Sequence, residues 1–429
     1  MTISTVPPSF VHSQLPGAFH LAINSNKKMK TVLIAVSVLG NLDETVTRMA
    51  LLPALLRRGT RSHPDMQSIN RYLEGLYGAS LAAFVQKIGE WHLVRFRLEV
   101  VNERFLPGET GIVRKGMEFL LELFKQPLEI GDGFHPEYLE QEKVHLRRVI
   151  ESLVDDKAAY AERRLIEEMC SEEPYRLYEQ GRVEDIAAID AAPLLGLHRT
   201  WVSEYPVYVY VTGDIDVAAT RDLVTDVFST SAGERKGGYR LSAAPPPVRV
   251  KRVRETEEHM EVNQAKLVLG FRHGVNYADA SYEALLFMNG ILGGFSHSKL
   301  FQNVREKANL AYSVHSSLER TKGILFVSGG IAPENRDKAL AIILGQVEAL
   351  KKGEISDEEI QATRLTILHS NEMLEDNLGA LADVDFVWSL HGRKLDLVTF
   401  RERLQEVKKD EIVEVARRLE HDTTYLLTK

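Results

Sequence analysis

Arg305 and Tyr312 stand seven residues apart, and their side chains could act together on one ligand. Apolar residues recur at helical spacing up to Lys307 and alternate from Leu310 onward, which predicts a helix that leads into a strand. A guanidinium and a phenol on the two sides of such a turn can face one cleft. Both groups would then donate hydrogen bonds to a carbonyl or a carboxylate.

An ordinary structural role is the alternative for the same pair. Arg305 could pair with Glu306 or Glu319 on the surface, while Tyr312 packs in the sheet. On residue types alone this structural role is favoured over a functional one.

Sequence signatures of other common chemistries are missing. The chain has no phosphate-binding Gly-x-x-x-x-Gly-Lys-Ser/Thr loop, no Gly-x-Ser-x-Gly nucleophile turn and no Cys-x-x-Cys pair. Ser296 and Ser298 flank His297, but adjacent residues at a helix start do not face each other. We therefore expect a helix N-cap from these serines rather than a nucleophile.

Composition narrows the class of protein. A chain of 429 residues with 44% hydrophobic and 27% charged content is typical of a large globular protein of two or more domains. The formal net charge of −8 gives no general attraction to nucleic acid or anionic lipid. The single cysteine, Cys170, excludes an internal disulfide and is expected to be a buried apolar group. No apolar run is long enough for a membrane span, and residues 1–14 lack a secretory signal pattern, so we expect a cytoplasmic location.

The order of predicted helices and strands in the first half of the chain repeats in the second half. Corresponding elements are displaced by roughly 215 to 235 residues, which indicates a duplicated domain rather than an array of short repeats. We predict a first half at 1–230, a linker at 231–255 and a second half at 256–429. We expect an α+β fold in which each half has a mostly antiparallel sheet with several helices packed on one face. The breakers that mark the linker are Gly233, Gly237, Gly238, Pro245, Pro246 and Pro247.

One helix start is marked clearly in the second half. Ser356 and Glu359 have the spacing of a capping box, and Ile355 and Ile360 occupy the flanking hydrophobic staple positions. We expect a helix to begin at this point.

The duplicated plan and the segment 296–314 resemble the pitrilysin/insulinase family of inverted-motif zinc peptidases, in the short-chain branch that includes the mitochondrial processing peptidases. The strongest local element is Leu-Phe-Gln-Asn-Val-Arg-Glu-Lys at 300–307, followed by Leu-Ala-Tyr-Ser-Val at 310–314. Asn-Gly-Ile-Leu-Gly-Gly at 289–294 and Gly-Thr at 59–60 support it. The resemblance covers nearly the whole chain and implies that two chains, or two fused copies, close around a peptide-filled chamber.

The family's chemistry requires a helix with His-x-x-Glu-His, because two histidines four residues apart bind Zn²⁺ while the glutamate activates water. Aligning Gly59 with the glycine that follows this helix puts Ala50, Pro53 and Ala54 at the two histidines and the glutamate. No histidine of this chain has another histidine four residues away. Pro53 would also kink or shorten the helix. We therefore predict that the isolated chain is inactive.

The family's third metal ligand is a glutamate on a later helix, and the resemblance places it within residues 142–151. The alignment puts Val149 at that position, with Glu142 and Glu151 nearby. Isolated carboxylates on a charged helix most often form a solvated face, so we expect no metal role for them.

The missing zinc motif and the Arg305/Tyr312 pair together resemble one arrangement in the family, the bacterial two-chain members in which one chain holds zinc and the other contributes an arginine and a tyrosine. The resemblance implies a non-catalytic subunit of a heterodimeric zinc peptidase, whose Arg305 and Tyr312 bind peptide beside a partner's zinc. The alternatives are a scaffold protein of the same fold and, ranked last, a self-sufficient zinc peptidase with unconventional ligands. A homodimer is possible when the partner is missing.

Overall fold

The structure is a computed structural model that describes residues 9–232, 235–243 and 248–429. Four of the predicted linker breakers, Gly233 and Pro245 to Pro247, lie outside the described residues. Gly237 and Gly238 lie within them, and both have the positive φ angles, 62° and 100°, that glycine adopts without steric cost.

The chain forms two compact units, and neither unit is one continuous stretch of sequence. Unit 1 takes its described residues from Met1–Glu151, Leu177–Ser242 and Leu374–Val387. Unit 2 takes them from Ser152–Arg176, Ala243–Met373 and Trp388–Lys429. The boundary between Ser242 and Ala243 falls inside the predicted linker, but each unit also includes one segment from the other predicted half. The predicted division into domains at 1–230 and 256–429 stays a prediction.

Thirteen strands are present in the described part of the chain. Those of unit 1 are β1 Val11–Leu15, β2 Phe19–Ser25, β3 Thr31–Asn41, β4 Ser80–Ile88, β5 Trp91–Val101, β6 Glu129–Ile130, β7 Gly133–Phe134 and β8 Val207–Gly213. Those of unit 2 are β9 Arg254–His259, β10 Ala265–Arg272, β11 Ala311–Glu319, β12 Ile324–Ile331 and β13 Glu420–Thr428.

Helices make up most of the remaining regular structure. The α-helices are α1 Val46–Leu56, α2 Met66–Gly75, α3 Ile112–Lys125, α4 Pro136–Glu151, α5 Lys157–Met169, α6 Val183–Ile186, α7 Ala191–Glu204, α8 Val217–Ala232, α9 Tyr282–Asn289, α10 Arg336–Lys351, α11 Asp357–Leu374, α12 Leu378–Leu390, α13 Leu397–Glu406 and α14 Lys409–Arg417. Two π-helices, Gly290–Gly294 and Phe301–Lys307, lie in unit 2.

The two main sheets share one topology. The sheet of unit 1 has the order β1-β2-β8-β3-β5-β4, and that of unit 2 has the order β11-β12-β10-β13-β9. Counted from β4 in unit 1 and from β11 in unit 2, the strands of the two sheets correspond one to one. The corresponding pairs are β4 and β11, β5 and β12, β3 and β10, β8 and β13, and β2 and β9. Strand β1 is an additional strand of unit 1. The pairs β2–β8 and β13–β9 are parallel, and the other pairs are antiparallel. The α+β class with two similar halves, predicted from the order of elements, is confirmed.

In unit 1 the central strand β3 is buried along almost its whole length, which requires cover on both faces of the sheet. Helices supply one layer, in which Trp201 of α7 contacts Phe96 of β5 and Phe124 of α3 at ring-centroid distances of 6.3 and 5.2 Å. Successive strand residues point to opposite faces, so Arg95 points away from this layer.

The other face of this sheet is covered by the segment Leu374–Val387, which comes from the second half of the sequence. Arg95 is 3% exposed and pairs with Asp383 of this segment. The Tyr210 hydroxyl donates to Asp385 at 2.8 Å, and the Arg95 guanidinium lies 4.6 Å from the Phe386 ring centroid. A buried arginine is tolerated here because a carboxylate and an aromatic face replace its water.

Unit 2 has the reciprocal feature. Helix α5, from the first half of the sequence, packs on β10, β12 and β13. Its Leu165 and Met169 belong to the core cluster that includes Val268 and Tyr425. A Cβ on Gly270 would lie 2.6 Å from the Met169 sulfur, so this close approach of strand and helix requires glycine. Each sheet is thus covered in part by a segment from the other half of the chain.

The predicted capping box is present at the start of α11. The backbone N–H of Ser356 donates to the Glu359 carboxylate at 2.8 Å, and the N–H of Glu359 donates to the Ser356 hydroxyl at 3.2 Å. Ile355 and Ile360 are buried, as the staple positions predict.

Candidate functional site

The helix that aligns with the family's zinc motif is α1, and it offers no metal ligand. Nine of its eleven residues are buried, and its only polar side chains are those of Thr47 and Arg48. Ala50 lies in the hydrophobic core of unit 1, and Pro53 lies inside the helix, where it removes one backbone donor. With Ala54, these side chains carry no nitrogen, oxygen or sulfur donor, so they do not fit a zinc ion.

The Gly59-Thr60 step that follows α1 has a structural role. A Cβ on Gly59 would lie 2.6 Å from the Pro64 carbonyl oxygen, so the chain closes on itself at this point. The buried Thr60 hydroxyl donates to Glu122 of α3 at 2.5 Å, and the Ser62 N–H donates to the same carboxylate at 3.0 Å. Burial would raise the pKa of Glu122, but these hydrogen bonds outweigh it and lower the pKa. The step therefore fixes the turn between α1 and α2 against α3.

The region of the third metal ligand lies on α4. Glu142 is 5% exposed, and its carboxylate accepts from Nε of Arg58 at 2.5 Å. Glu151 is exposed, and Val149 is half-buried and apolar. Among the residues that the structure describes, no group of three His, Cys, Asp or Glu side chains could hold a metal ion. The Arg58–Glu142 ion pair was not predicted from the sequence. The one sign of it in the sequence is that Arg58, a cation, follows Ala54 by about one helical turn.

Arg305 lies on the π-helix Phe301–Lys307, which is held firmly on unit 2. Val304 is fully buried, and the Asn303 amide donates to Gln346 of α10 at 2.9 Å. The Arg305 side chain is 42% exposed, with its guanidinium 4.7 Å from the Phe301 ring centroid. Its Nε lies 3.6 Å from Glu306, a surface contact of little energetic value. The guanidinium is therefore accessible and already oriented by Phe301.

A tight turn joins this π-helix to β11. Asn309 has a φ of 52°, in the left-handed region that commonly ends helices. Its N–H donates to the Arg305 carbonyl at 3.1 Å, and the Leu310 N–H donates to the Val304 carbonyl at 3.0 Å. The predicted helix-to-strand turn is present, and its backbone is fixed by two hydrogen bonds.

Tyr312 is the bulge residue of the edge strand β11. Across β12, Ala311 pairs with Ile331 and Ser313 pairs with Gly330, so Tyr312 has no partner in the ladder. Its side chain is 76% exposed, the largest exposed fraction among the large hydrophobic side chains described. The phenol therefore projects into solvent and does not pack in the sheet.

The glycines at 289–294 pack the first π-helix against β11. A Cβ on Gly293 would lie 2.7 Å from both the Ser316 backbone nitrogen and Cδ1 of Leu300. The Ser316 hydroxyl donates to the Asn289 side chain at 2.8 Å. The sequence indicated this motif, but it indicated neither the π-helical form nor the bulge. Such features recur at functional sites.

The serines near His297 behave as helix-start residues. Ser298 is 1% exposed, and its hydroxyl accepts from the Phe301 N–H at 3.5 Å. His297 contacts the Thr363 hydroxyl through Nε2 at 3.0 Å. This geometry agrees with the N-cap role expected for Ser298.

Arg305 and Tyr312 thus lie on adjoining elements of one rigid corner of unit 2, and both are accessible. A guanidinium and a phenol are hydrogen-bond donors suited to a carbonyl, a carboxylate or an oxyanion. No helix in the described ranges is both long and apolar enough to cross a membrane.

Comparison with family models and with named proteins gives a consistent result. The model described as "Peptidase M16 inactive domain" matches residues 188–366. The chain is 37% identical over 415 residues to the probable inactive metalloprotease YmfF of Bacillus subtilis strain 168, covering 96% of each chain. It is 29% identical over 190 residues to the uncharacterized zinc protease YmxG of the same strain, covering 40% of this chain and 44% of that protein.

Solved structures show the same fold. A conserved protein from Enterococcus faecalis V583 is 29% identical, with a TM-score of 0.90 over 98% of each chain. A peptidase M16 inactive domain from Pseudomonas fluorescens is 15% identical, with a TM-score of 0.80 over 98% of each chain. At that identity the second likeness concerns the fold alone.

Proposed function

The chain belongs to the peptidase M16 family, and on that premise we propose that it is a non-catalytic, peptide-binding subunit that works beside a zinc-bearing paralogue. The lack of catalysis is supported by α1, where Ala50, Pro53 and Ala54 stand in place of metal ligands and a general base. The name of YmfF, a probable inactive metalloprotease that matches 96% of the chain, supports the same conclusion.

The observation that carries the binding role is the exposure of Arg305 and Tyr312 on a fixed corner. A residue kept only for packing would be buried, whereas the Tyr312 side chain is 76% exposed and the Arg305 side chain is 42% exposed. The supports of the corner, by contrast, are fully buried: Leu300 and Val304. A site positions a ligand well when exposed hydrogen-bond donors are held by a rigid, buried support, and this corner has both features.

The partner chain would supply zinc, which activates water and polarises the scissile carbonyl. Arg305 and Tyr312 would bind the same peptide from the opposite side and donate hydrogen bonds where negative charge develops on the carbonyl oxygen. Prearranged donors of this kind are worth about 3 kcal/mol of barrier each. A subunit without metal could therefore control the rate of a reaction on its partner.

The test mixes the purified chain with a paralogue from the same source that carries His-x-x-Glu-His and measures the cleavage of a quenched fluorescent peptide. We expect the rate to rise on mixing and to fall by about a hundredfold when the chain carries Arg305→Ala. Lys307→Ala is the matched control, since Lys307 lies on the same π-helix and is also exposed. A rate that does not respond to the chain, or that falls equally with both variants, contradicts the proposal.

The expected partner and location belong to the same proposal. Native mass spectrometry of the endogenous complex should give a one-to-one pair in the cytoplasmic fraction, and the chain alone could form a homodimer. A large multi-protein assembly that contains this chain and lacks peptidase activity would instead favour the scaffold role.

A further inference from the structure

A small polar notch lies on β12 at Gly330, beside the exposed corner. Gly330 pairs with Lys266 of β10 on one side and with Ser313 of β11 on the other. Neighbouring strands are about 4.8 Å apart, so these three residues form one row across the sheet. The absence of a side chain on the middle residue leaves a gap between the two outer ones.

Three polar side-chain ends converge over this gap. A Cβ on Gly330 would lie 3.0 Å from Oε1 of Gln264, 3.4 Å from Nζ of Lys266 and 3.7 Å from Oγ of Ser313. Lys266 is half-buried, while Gln264 and Ser313 are exposed, so the notch opens to solvent on one side. The Lys266 ammonium and the Ser313 hydroxyl offer hydrogen-bond donors to the gap, and a half-turn of the exposed Gln264 amide would bring its N–H groups there in place of its oxygen.

Lys266 brings a positive charge that the protein does not neutralise nearby. It makes no ion pair with a carboxylate among the residues that the structure describes. The neighbouring acid on this face, Glu162, is already bound to the Ser328 hydroxyl at 2.5 Å and lies 3.8 Å from His315. A half-buried ammonium with free donors beside it favours an anion as ligand.

The position of the notch indicates where that anion comes from. Ser313 directly follows Tyr312 on the edge strand β11, so their Cα atoms are about 3.8 Å apart. The outer edge of β11 is not paired with another described strand, and an extended peptide can pair with such an edge. A peptide that pairs with this edge therefore passes next to Ser313, and the notch lies one strand further into the sheet, where a side chain or the end of the peptide can reach it over β11.

We propose that Lys266, Ser313 and Gln264 bind a carboxylate of a peptide seated along β11, in the space above Gly330. The inference rests on the proposed peptide-binding function and assigns it a preferred class of ligand. The carboxylate is either the C-terminus of the peptide or an acidic side chain, because the notch offers the same donors to both.

The probe is a fluorescein-labelled peptide of about ten residues, the upper length of an ordinary strand, measured by fluorescence anisotropy with the isolated full-length chain. One form has a free C-terminal carboxylate, and a second form has a C-terminal amide. A third form is amidated and has one internal Gln replaced by Glu. We expect the free acid, the Glu peptide or both to bind about tenfold more tightly than the plain amide. The form that gains affinity identifies the source of the carboxylate.

Two glycines of β12 provide a matched pair of variants. Gly330→Ala puts a methyl group into the notch, where it meets only the ends of flexible side chains and Ser313 Oγ. Gly329→Ala is the control, because its Cβ makes only ordinary contacts at 3.5 to 3.8 Å with Ser313 and Val314. We expect Gly330→Ala to abolish the preference for the carboxylate forms and Gly329→Ala to preserve it. Lys266→Met, which keeps the aliphatic stem, should also abolish it.

Equal affinity for all three peptides, or a preference that survives both Gly330→Ala and Lys266→Met, overturns the inference. Failure of the proposed function would look different. In that case the chain would leave the rate of a zinc-bearing paralogue unchanged, whatever the end group of the peptide. Loss of the carboxylate preference alone, with Arg305→Ala still lowering the paralogue's rate, would overturn only the notch.

Discussion

The proposed role of Arg305 depends on the shape of its side chain as well as on its charge. A guanidinium is planar and donates in two directions, whereas an ammonium is a point charge. We expect Arg305→Lys to recover less than a tenth of the rate lost in Arg305→Ala, although the charge is kept. The measurement is kcat of the zinc-bearing paralogue saturated with each variant. Full recovery by lysine would mean that only charge is required.

Tyr312 should act through its hydroxyl if it donates to the peptide. Tyr312→Phe keeps the ring and removes only the donor, so we expect a rate loss of about tenfold from a lost hydrogen bond to developing charge. The free energy of unfolding should stay within about 0.5 kcal/mol of the original, because the side chain is exposed. Peptide cleavage and urea unfolding measure the two effects separately. An unchanged rate would assign Tyr312 to contact by its ring alone.

Glu173 gives a prediction of pH dependence in unit 2. Its carboxylate accepts from Arg272 and from Lys322, both at 2.6 Å, and Arg272 also binds Asp422 at 2.6 Å. Burial alone would raise the pKa of Glu173, but the hydrogen bonds and charges of Arg272 and Lys322 outweigh it and lower the pKa below 4.5. The ion pairs therefore add stability above pH 4.5, and this stability is lost as the pH falls through the lowered pKa.

We expect Glu173→Gln to lower the free energy of unfolding by about 3 kcal/mol at pH 7, because two buried cations lose a shared carboxylate. The difference from the original protein should shrink as the pH is lowered below 4.5. Urea denaturation across this pH range measures it, with the exposed neighbour Glu172→Gln as control. A difference in the free energy of unfolding that does not change with pH would mean that Glu173 contributes by packing and not by its ion pairs with Arg272 and Lys322.

The corner that carries Arg305 depends on the close approach of the π-helix Gly290–Gly294 to β11. Gly293→Ala would place a methyl group 2.7 Å from the Ser316 backbone nitrogen, which cannot move without disturbing the strand. We expect a loss of about 2 kcal/mol in the free energy of unfolding and a weaker effect of the chain on its partner's rate.

Gly345→Ala is the matched control for that substitution. Gly345 lies in α10, and a Cβ there would meet nothing within 4 Å. This variant should be more stable than the original by about 0.5 to 1 kcal/mol, because alanine favours helix. Equal thermal shifts for the two variants would contradict the packing role assigned to Gly293.

Sequence patterns predicted elements well where one pattern was strong. The apolar alternation located β11 within a residue or two, and the capping box at Ser356 located the start of α11, although not its end. Strand β9 was harder, because its sequence Arg-Glu-Thr-Glu-Glu-His is polar throughout and its pairing partner β13 lies far away in sequence. The bulge at Tyr312 depends on the register with β12, which a single strand's sequence does not specify.

The contacts between segments that are far apart in the sequence could not be predicted from the sequence alone. Arg95 and Arg97, on one face of a strand in a buried sheet, indicate that an acid lies opposite, but they do not say where in the sequence it is. Asp383, almost 300 residues later, is that acid. The notch at Gly330 likewise exists only through the registers of β10, β11 and β12.

For the whole molecule, we expect no dependence on bound zinc. The helix α1 offers no donor at its motif positions, so metal analysis of the purified chain should give far less than one zinc per molecule. A chelator should leave its thermal midpoint unchanged, since a metal that does not bind adds no folding free energy. Stoichiometric zinc that a chelator removes, with loss of peptide hydrolysis, would favour the self-sufficient peptidase and contradict the proposed division of labour.

The discontinuous make-up of the two units has a consequence for synthesis on the ribosome. Unit 1 needs the segment Leu374–Val387, so it stays incomplete until residue 387 has been translated. At typical translation rates this is on the order of ten seconds after residue 242 has been added. During that interval Arg95 lacks Asp383, and one face of the first sheet lacks its cover. The nascent chain therefore carries an unfinished surface that a chaperone could recognise before the last helices emerge.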